Sequence, residues 1–242
     1  MPKYIMVIDS SVCINCRACL VACQQENQVP YESFRIWVKQ GADETAPSGL
    51  HYQPGNCMHC DNPVCVHACP TGATYKDPAD GIVKVDTELC IGCGSCVKAC
   101  PYGARFKDPV RNVVDKCNYC PRRREMGLDP ACVAICPTKT RVFGDADDPN
   151  SEVSKLLKEK KTVQIIAPSE DTKPAIYYID RTAPMDWPKA TSSPTPIRLM
   201  RSVLSPVTTI VGGLTLLGIA GVAVKNLITG GGEDHHEEAH HD

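Results

Sequence analysis

Large aromatic side chains are scarce in this chain of 242 residues: Phe, Trp and Tyr together make up only 5% of it, and Phe occurs three times. A core of this size normally draws much of its buried area from such side chains, so something else must occupy the interior. Neither sign of charge dominates. The 26 Lys and Arg stand against 28 Asp and Glu, a formal net charge of −2. That balance makes no case for a nucleic-acid partner. Met1-Pro-Lys-Tyr lacks the charged region, apolar run and cleavage site of a secretory signal, and no twin-arginine motif is present, so no signal peptide is expected. There is no phosphate-binding glycine loop and no nucleophile set beside a base. No catalytic residue is expected, and the protein is not an enzyme by itself.

What is abundant is cysteine. The sixteen fall into four groups of four. Group I is Cys13, Cys16, Cys19 and Cys23. Group II is Cys57, Cys60, Cys65 and Cys69. Group III is Cys90, Cys93, Cys96 and Cys100. Group IV is Cys117, Cys120, Cys132 and Cys136. Pro70, Pro101 and Pro137 follow the last cysteine of groups II, III and IV, whereas Gln24 stands there in group I. A disulfide framework would vary its spacings more than this. Zinc sites pair two C-x-x-C units and need no third cysteine with a fourth followed by Pro. Haem attachment is excluded, because Arg17, Asp61, Gly94 and Pro121 stand where C-x-x-C-H requires His.

Group III reads C-x2-C-x2-C-x3-C-P, the spacing by which bacterial ferredoxins hold 4Fe-4S clusters. Three thiolates on a tight loop reach one cube, and the fourth points toward a neighbouring one. One such group therefore implies another. The tail Pro101-Tyr102-Gly103-Ala104-Arg105 echoes Pro70-Thr71-Gly72-Ala73-Thr74, and Cys136-Pro137-Thr138 echoes Cys69-Pro70-Thr71, which marks an internal repeat. Group II differs by a longer middle gap holding Asp61-Asn62-Pro63, and group IV by an insertion that carries Arg122, Arg123 and Arg124.

Between the groups, the pattern predicts strands over 4–9, 82–85, 140–143, 163–166 and 176–179. It also predicts a strand carrying Phe34, Ile36 and Val38, a helix over 19–28, a loop over 41–49 and a helix after the N-cap Ser151. Prolines 184, 188, 194 and 196 make 181–201 a stiff linker. Ser202 to Val224 then offers 23 uncharged positions between Arg201 and Lys225, including Gly212, Gly213, Gly218 and Gly221. That is long enough for a transmembrane helix. It contains no His, so imidazole ligation of haem is not expected there. The acidic, His-bearing end reads as a solvated tail.

The four spacings in this order resemble the iron–sulfur electron-transfer subunit of membrane-bound molybdopterin oxidoreductases. Polysulfide reductase, dimethyl sulfoxide reductase and formate dehydrogenase have such a subunit. The segments Asp115-Lys-Cys-Asn-Tyr-Cys and Phe143-Gly-Asp look like the polysulfide reductase subunit, and the C-terminal span looks like the formate dehydrogenase β-subunit. The resemblance covers about residues 1–180. It implies an α+β fold of nested double-cluster ferredoxin-like domains with a single C-terminal transmembrane helix. One domain would be 1–49 plus 109–145, with an inserted domain at 50–108. The C-terminal extension 146–180, the linker 181–201, the helix 202–225 and the tail 226–242 would follow.

The resemblance further implies four 4Fe-4S clusters and their ligands. One would take Cys13, Cys16, Cys19 and Cys136, and a second Cys23, Cys117, Cys120 and Cys132. A third would take Cys57, Cys60, Cys65 and Cys100, and a fourth Cys69, Cys90, Cys93 and Cys96. The function expected is conduction of single electrons between a catalytic molybdopterin-type subunit and a quinone-reactive membrane subunit. A membrane-tethered polyferredoxin-like carrier and the equivalent subunit of a hydrogenase are the alternatives. Lys98 and Lys116 are expected to raise cluster potentials, and His59 and His67 to serve as packing or N–H donors. The span is expected in the cytoplasmic membrane. Its flanking charges favour a cytoplasmic globular part, while the resemblance favours the periplasmic face, which is the expectation adopted.

Overall fold

The computed structural model describes residues 1–44, 46–168 and 170–179. The expected linker, transmembrane span and tail lie outside the described residues. Among the described residues no helix is long and apolar enough to cross a membrane. The elements in chain order are β1 (Tyr4–Asp9), α1 (Ala18–Asn27), β2 (Ile36–Ala42), β3 (Leu50–Asn56), α2 (Val64–His67), β4 (Thr74–Lys76), β5 (Val83–Val85), α3 (Ser95–Ala99), β6 (Phe106–Lys107), β7 (Val114–Asp115), α4 (Pro121–Glu125), α5 (Ala131–Ala134), β8 (Arg141–Asp145), α6 (Glu152–Glu159), β9 (Thr162–Val163) and β10 (Ile176–Ile179). Short helices follow the cysteine loops, and short hairpins join them, so the fold is mixed in helix and strand.

One sheet organises the interior. Its strand order is β8-β1-β10-β9, with β1 antiparallel to β8 and parallel to β10. Strand side chains alternate between faces, and β1 uses this to separate two cores. Ile5 and Val7 pack with Val153 and Ala175, and with Leu156 and Leu157 of α6. Met6 and Ile8 face the other way, onto Ile176, Tyr178, Tyr119 and the buried Cys23, Cys57, Cys117 and Cys132. Thiols thus take the volume that aromatics usually fill. Four rings form a run of contacts: Tyr4 stacks on Phe143 at 5.2 Å, Phe143 meets Tyr119 at 4.8 Å, and Tyr119 stacks on His59 at 4.0 Å.

The predicted strands at both ends and the capped helix form, with Ser151 Oγ accepting from the Ser154 amide at 3.2 Å. One difference is the hairpin β2–β3. Residues expected as loop extend β2 to Ala42, and β3 runs through Pro54 and Gly55. Proline is tolerated because this sheet has only two strands. Gly55 is required because the Trp37 indole lies across it: a Cβ there would stand 2.6 Å from Nε1. The halves of the repeat give matching hairpins, β4–β5 after group II and β6–β7 after group III.

A buried ion pair ties groups I and IV together. Arg35 Nε and Nη2 donate to the Asp115 carboxylate at 3.1 and 2.9 Å, and Nη1 donates to Asn27 and Asn118 at 2.8 and 3.2 Å. Arg35→Met leaves a buried carboxylate with the half-exposed Arg111 as its remaining cation and the Lys116 amide as its other donor among the described residues. Breaking such a pair costs about 3 kcal/mol. Thermal unfolding of the loaded protein is expected to show a clear loss for Arg35→Met, and a smaller one for Arg111→Met, because Asp115 then keeps Arg35 and the buried Asp108 keeps the backbone amides of residues 110 and 111.

Candidate iron–sulfur sites

Each group begins with the same backbone device. The residue just before the second cysteine adopts a left-handed conformation in all four: Asn15 at φ 54°, His59 at 45°, Gly92 at 64° and Tyr119 at 56°. The turn recurs three residues after the closing cysteine of groups II, III and IV, at Gly72, Gly103 and Lys139. Alternating right- and left-handed residues turn successive amides toward one side and form a concave nest for negative charge. His59 and Tyr119 adopt this conformation at a cost on the order of 1 kcal/mol each, and the stack between their rings holds both in place. Gly92 is needed twice over, since its loop also passes against Asn112, where a Cβ would lie 2.0 Å from the carbonyl oxygen.

All sixteen cysteines are free thiols. The structure brings them together across groups. Cys13, Cys16, Cys19 and Cys136 line one cavity. The Cys13 thiol is pushed up by burial, then by the charges of Cys19 and Cys136. Cys23 is pushed up to about 12 by burial, with Cys132 and Cys120 beside it, and Cys117 is raised by burial and by Cys132 and Cys23. Burial and then Cys57, Cys65 and Cys100 raise Cys60. Cys93 lies below the usual thiol range because of Ser95, with Cys69 opposing, and Cys90 packs with Cys96. Thiols of different groups therefore lie beside one another. Among the described residues no three His, Cys, Asp or Glu side chains close on a point that one metal ion could occupy.

Cysteines of the expected sets also lie near one another from set to set. Cys132 of the second set is near Cys19 of the first, Cys117 of the second near Cys57 of the third, and Cys65 of the third near Cys96 of the fourth. The outer sets reach solvent at Cys16 and Cys93, while the four cysteines of the second set are all buried. The segment before β10 seals the third set: Ala175 N–H donates to Met58 O at 2.8 Å, and the Tyr102 hydroxyl reaches Thr172 at 2.6 Å.

Donors surround the sulfurs. The Thr74 amide donates to Cys69 Sγ and the Val114 amide to Cys90 Sγ, each at 3.4 Å. Asn27 Nδ2 bridges Cys23 and Cys120 at 3.7 and 3.6 Å, and Asn56 Nδ2 reaches Cys117 at 3.7 Å. Arg105 Nη2 donates to Cys65 Sγ at 3.0 Å, while its buried Nε has no protein acceptor. His59 accepts from the Val83 amide on Nδ1 at 3.2 Å. Burial first, and then Lys116, hold its pKa well down. The ring is therefore neutral, and its proton sits on the buried, unpartnered Nε2. Orphaned N–H donors beside sets of four thiols fit sulfur-rich anionic groups, which is the donor set a 4Fe-4S cube needs. Buried thiols such as Cys23, at about 12, and Cys100 and Cys132, each at about 11, are protonated at neutral pH until iron takes the proton's place.

Of the cations singled out by their proximity in sequence, Lys116 is buried. Its Nζ donates to the carbonyls of Val83 and Cys117, the latter at 2.7 Å. Lys98, Arg17 and Arg122 are exposed instead. In α3 the side next to Lys98 is taken by Cys96 and Ala99, which turns Lys98 outward. Sequence reasoning missed the buried Arg105 and Arg141, and the donors Asn27 and Asn56. His59 is placed as expected of a packing residue, buried and stacked on Tyr119.

Residues 49–146 match the 4Fe-4S dicluster domain, and residues 12–73 match a second family of the same description. The sequence is similar to Protein NrfC of Escherichia coli strain K12, 43% identical over 180 residues, covering 73% of this chain and 80% of that protein. It is similar to the B component of polysulfide reductase from Wolinella succinogenes, 42% identical over 183 residues, covering 73% and 94% of the two proteins. The B component of tetrathionate reductase from Salmonella typhimurium is 41% identical over 184 residues, covering 73% and 72%.

Gly92→Ala tests the loop geometry. The clash with Asn112 is expected to displace Cys90 and Cys93 and to lower bound iron below wild type. Gly94→Ala meets nothing within 4 Å and suffers only the left-handed strain, so its iron content should stay near wild type.

Proposed function

Because this protein belongs to the family of 4Fe-4S dicluster electron-transfer subunits that serve oxidoreductases, we propose that it is a four-cluster conductor. It passes single electrons between a catalytic molybdopterin-type subunit and a quinone-reactive membrane subunit. It is an electron-transfer subunit and not itself catalytic. The observation that carries the four-cluster reading is the meeting of thiols across groups, in an order that runs from one exposed end to the other. The ligand sets are Cys13, Cys16, Cys19 and Cys136; then Cys23, Cys117, Cys120 and Cys132; then Cys57, Cys60, Cys65 and Cys100; then Cys69, Cys90, Cys93 and Cys96. Each site supplies one-electron chemistry with little rearrangement.

The protein's own residues do the rest. The nests and the Asn27 and Asn56 amides donate to sulfur. The main sheet and the segment before β10 exclude water from the second and third sets. Cys16 and Cys93 bring the ends of the path to the surface, where partners can receive electrons. The helix at 202–225, through its uncharged run Ser202 to Val224, anchors the chain in the cytoplasmic membrane with the globular part on the periplasmic face.

Anaerobically purified protein is expected to bind about sixteen irons per molecule, with cluster spectroscopy resolving four centres; two centres would contradict the reading. Cys100→Ser separates the crossed sets from uncrossed ones. It should cost the cluster of Cys57, Cys60 and Cys65 and spare that of Cys90, Cys93 and Cys96. For the assembly, a stable complex carrying molybdenum or tungsten is expected on purification from membranes. Protease added to spheroplasts should digest the globular part, and protection would refute the periplasmic placement.

A further inference from the structure

Counting five residues on from the closing cysteine of groups II, III and IV reaches Thr74, Arg105 and Arg141. Both arginines are buried, at 4% and 2% exposed. Arg105 spans two sets. Its Nη2 donates to Cys65 Sγ of the third set at 3.0 Å, and its Nη1 donates to Thr74 Oγ1 at 3.2 Å. The Thr74 amide in turn donates to Cys69 Sγ of the fourth set at 3.4 Å. Arg141 does the same at the other end. It forms part of the wall around Cys13, Cys16, Cys19 and Cys136 of the first set. Its Nη1 donates to Asn56 Oδ1 at 2.8 Å, and Asn56 Nδ2 donates to Cys117 Sγ of the second set at 3.7 Å. Among the described residues neither arginine pairs with a carboxylate: Arg141 otherwise reaches Gly55 O and Met6 Sδ.

We infer that Arg105 and Arg141 are one device used twice: a permanently charged guanidinium, at the same place in the repeat, shared by the two clusters of each pair and holding both at a higher potential. This rests on the ligand sets proposed above. A guanidinium keeps its proton at any working pH, so its charge is constant. Taking up one electron adds negative charge to a buried site, and a fixed cation a few ångströms away favours that state. Because each arginine lies beside one set, Arg105 by a hydrogen bond to sulfur and Arg141 in the cavity wall, and connects to the neighbouring set through a single residue, Thr74 or Asn56, the pair moves together. The surrounding thiols register the charge: Arg105 opposes the burial-driven rise of Cys65 and Cys100, and Arg141 opposes that of Cys13 and Cys132. Lys116, between the second and third sets, stands outside this repeat position.

The test is a mediated redox titration, followed by electron paramagnetic resonance, on the whole complex carrying Arg105→Gln, Arg105→Lys, Arg141→Gln or Arg141→Lys. Iron content and the number of signals are read first. Four centres in the wild type uphold the reading on which this inference rests, and fewer would sink that reading rather than this one. With four centres present, Arg105→Gln is expected to lower two midpoints and leave two in place. At the wild-type half-reduction potential the reduced-to-oxidised ratio of each affected centre falls on the order of tenfold, about 59 mV for one electron. Arg141→Gln should lower the other two. The Lys variants should return toward wild type, because they keep the charge. Unchanged midpoints, a shift of one centre alone, an equal shift of all four, or a Lys variant as low as its Gln counterpart would overturn the inference. If the Gln variants fail to load iron, loading restored by Lys supports the need for charge. Failure of both makes the arginine a packing element and overturns the inference.

Discussion

Thiolate sulfurs gathered in one small interior repel one another and pay for leaving water, and the rest of this structure answers that constraint. Burial above all pushes Cys23 to about 12 and Cys100 and Cys132 to about 11, so the sets are stable as thiols or as iron-bound thiolates, but not as bare anions. The counterweights are backbone amides turned inward by left-handed residues, carboxamides of Asn27 and Asn56, and the buried cations Arg105, Lys116 and Arg141. At the exposed ends the balance reverses. Hydrogen bonds from Thr71 and Thr74 outweigh burial at Cys69, and those from Thr138 and Thr140 do so at Cys136, so both thiols lie below their usual range. The path is therefore most sheltered in its middle and most wetted where electrons must enter and leave.

The main sheet makes this possible by dividing labour between its faces. On one side α6 supplies an ordinary aliphatic core of Val153, Leu156 and Leu157 against Ile5 and Val7. On the other, Met6, Ile8 and Ile176 form a dry floor beneath the thiols. The aliphatic side carries the packing that a low-aromatic protein needs. The sulfur side takes in the buried rings as well: Tyr119 lies against Cys117 and Cys57, and Tyr178 packs in the same cluster. The C-terminal strand β10 lies beside β1 in this sheet, so the segment leading into it covers group II as the sheet closes.

Much of this is legible from spacing. The C-x-x-C units with a displaced fourth cysteine point to crossed ligation, and continuous apolar runs mark β1 and β10. Ser151 before Glu152 marks the helix start, and Asp80-Gly81 marks a hairpin turn. What escapes a sequence reading does so for physical reasons. β3 carries Pro54 and Gly55, which read as breakers unless Trp37 is known to lie across the glycine. Lys98 and Lys116 look alike in sequence, each next to or near a cysteine, yet α3 turns Lys98 outward and Lys116 points into carbonyls. Arg105 and Arg141 look in sequence like the ends of two strand-like tails. Their common signal is the fifth position after a closing cysteine, and it gains meaning only once both are seen to be buried between sets.

The central claim is a single line of four clusters held by crossed sets of cysteines. Anomalous scattering at the iron edge, measured on crystals of the anaerobically prepared complex, tests it most directly. The expected result is four iron centres in a row. The centre beside Cys16 comes first, those of Cys117 and of Cys57 lie in the middle, and the one beside Cys93 comes last, with Cys136 and Cys100 each ligating a centre outside its own group. Fewer than four centres, a branched arrangement, or any group supplying all four ligands to its own cluster would contradict it.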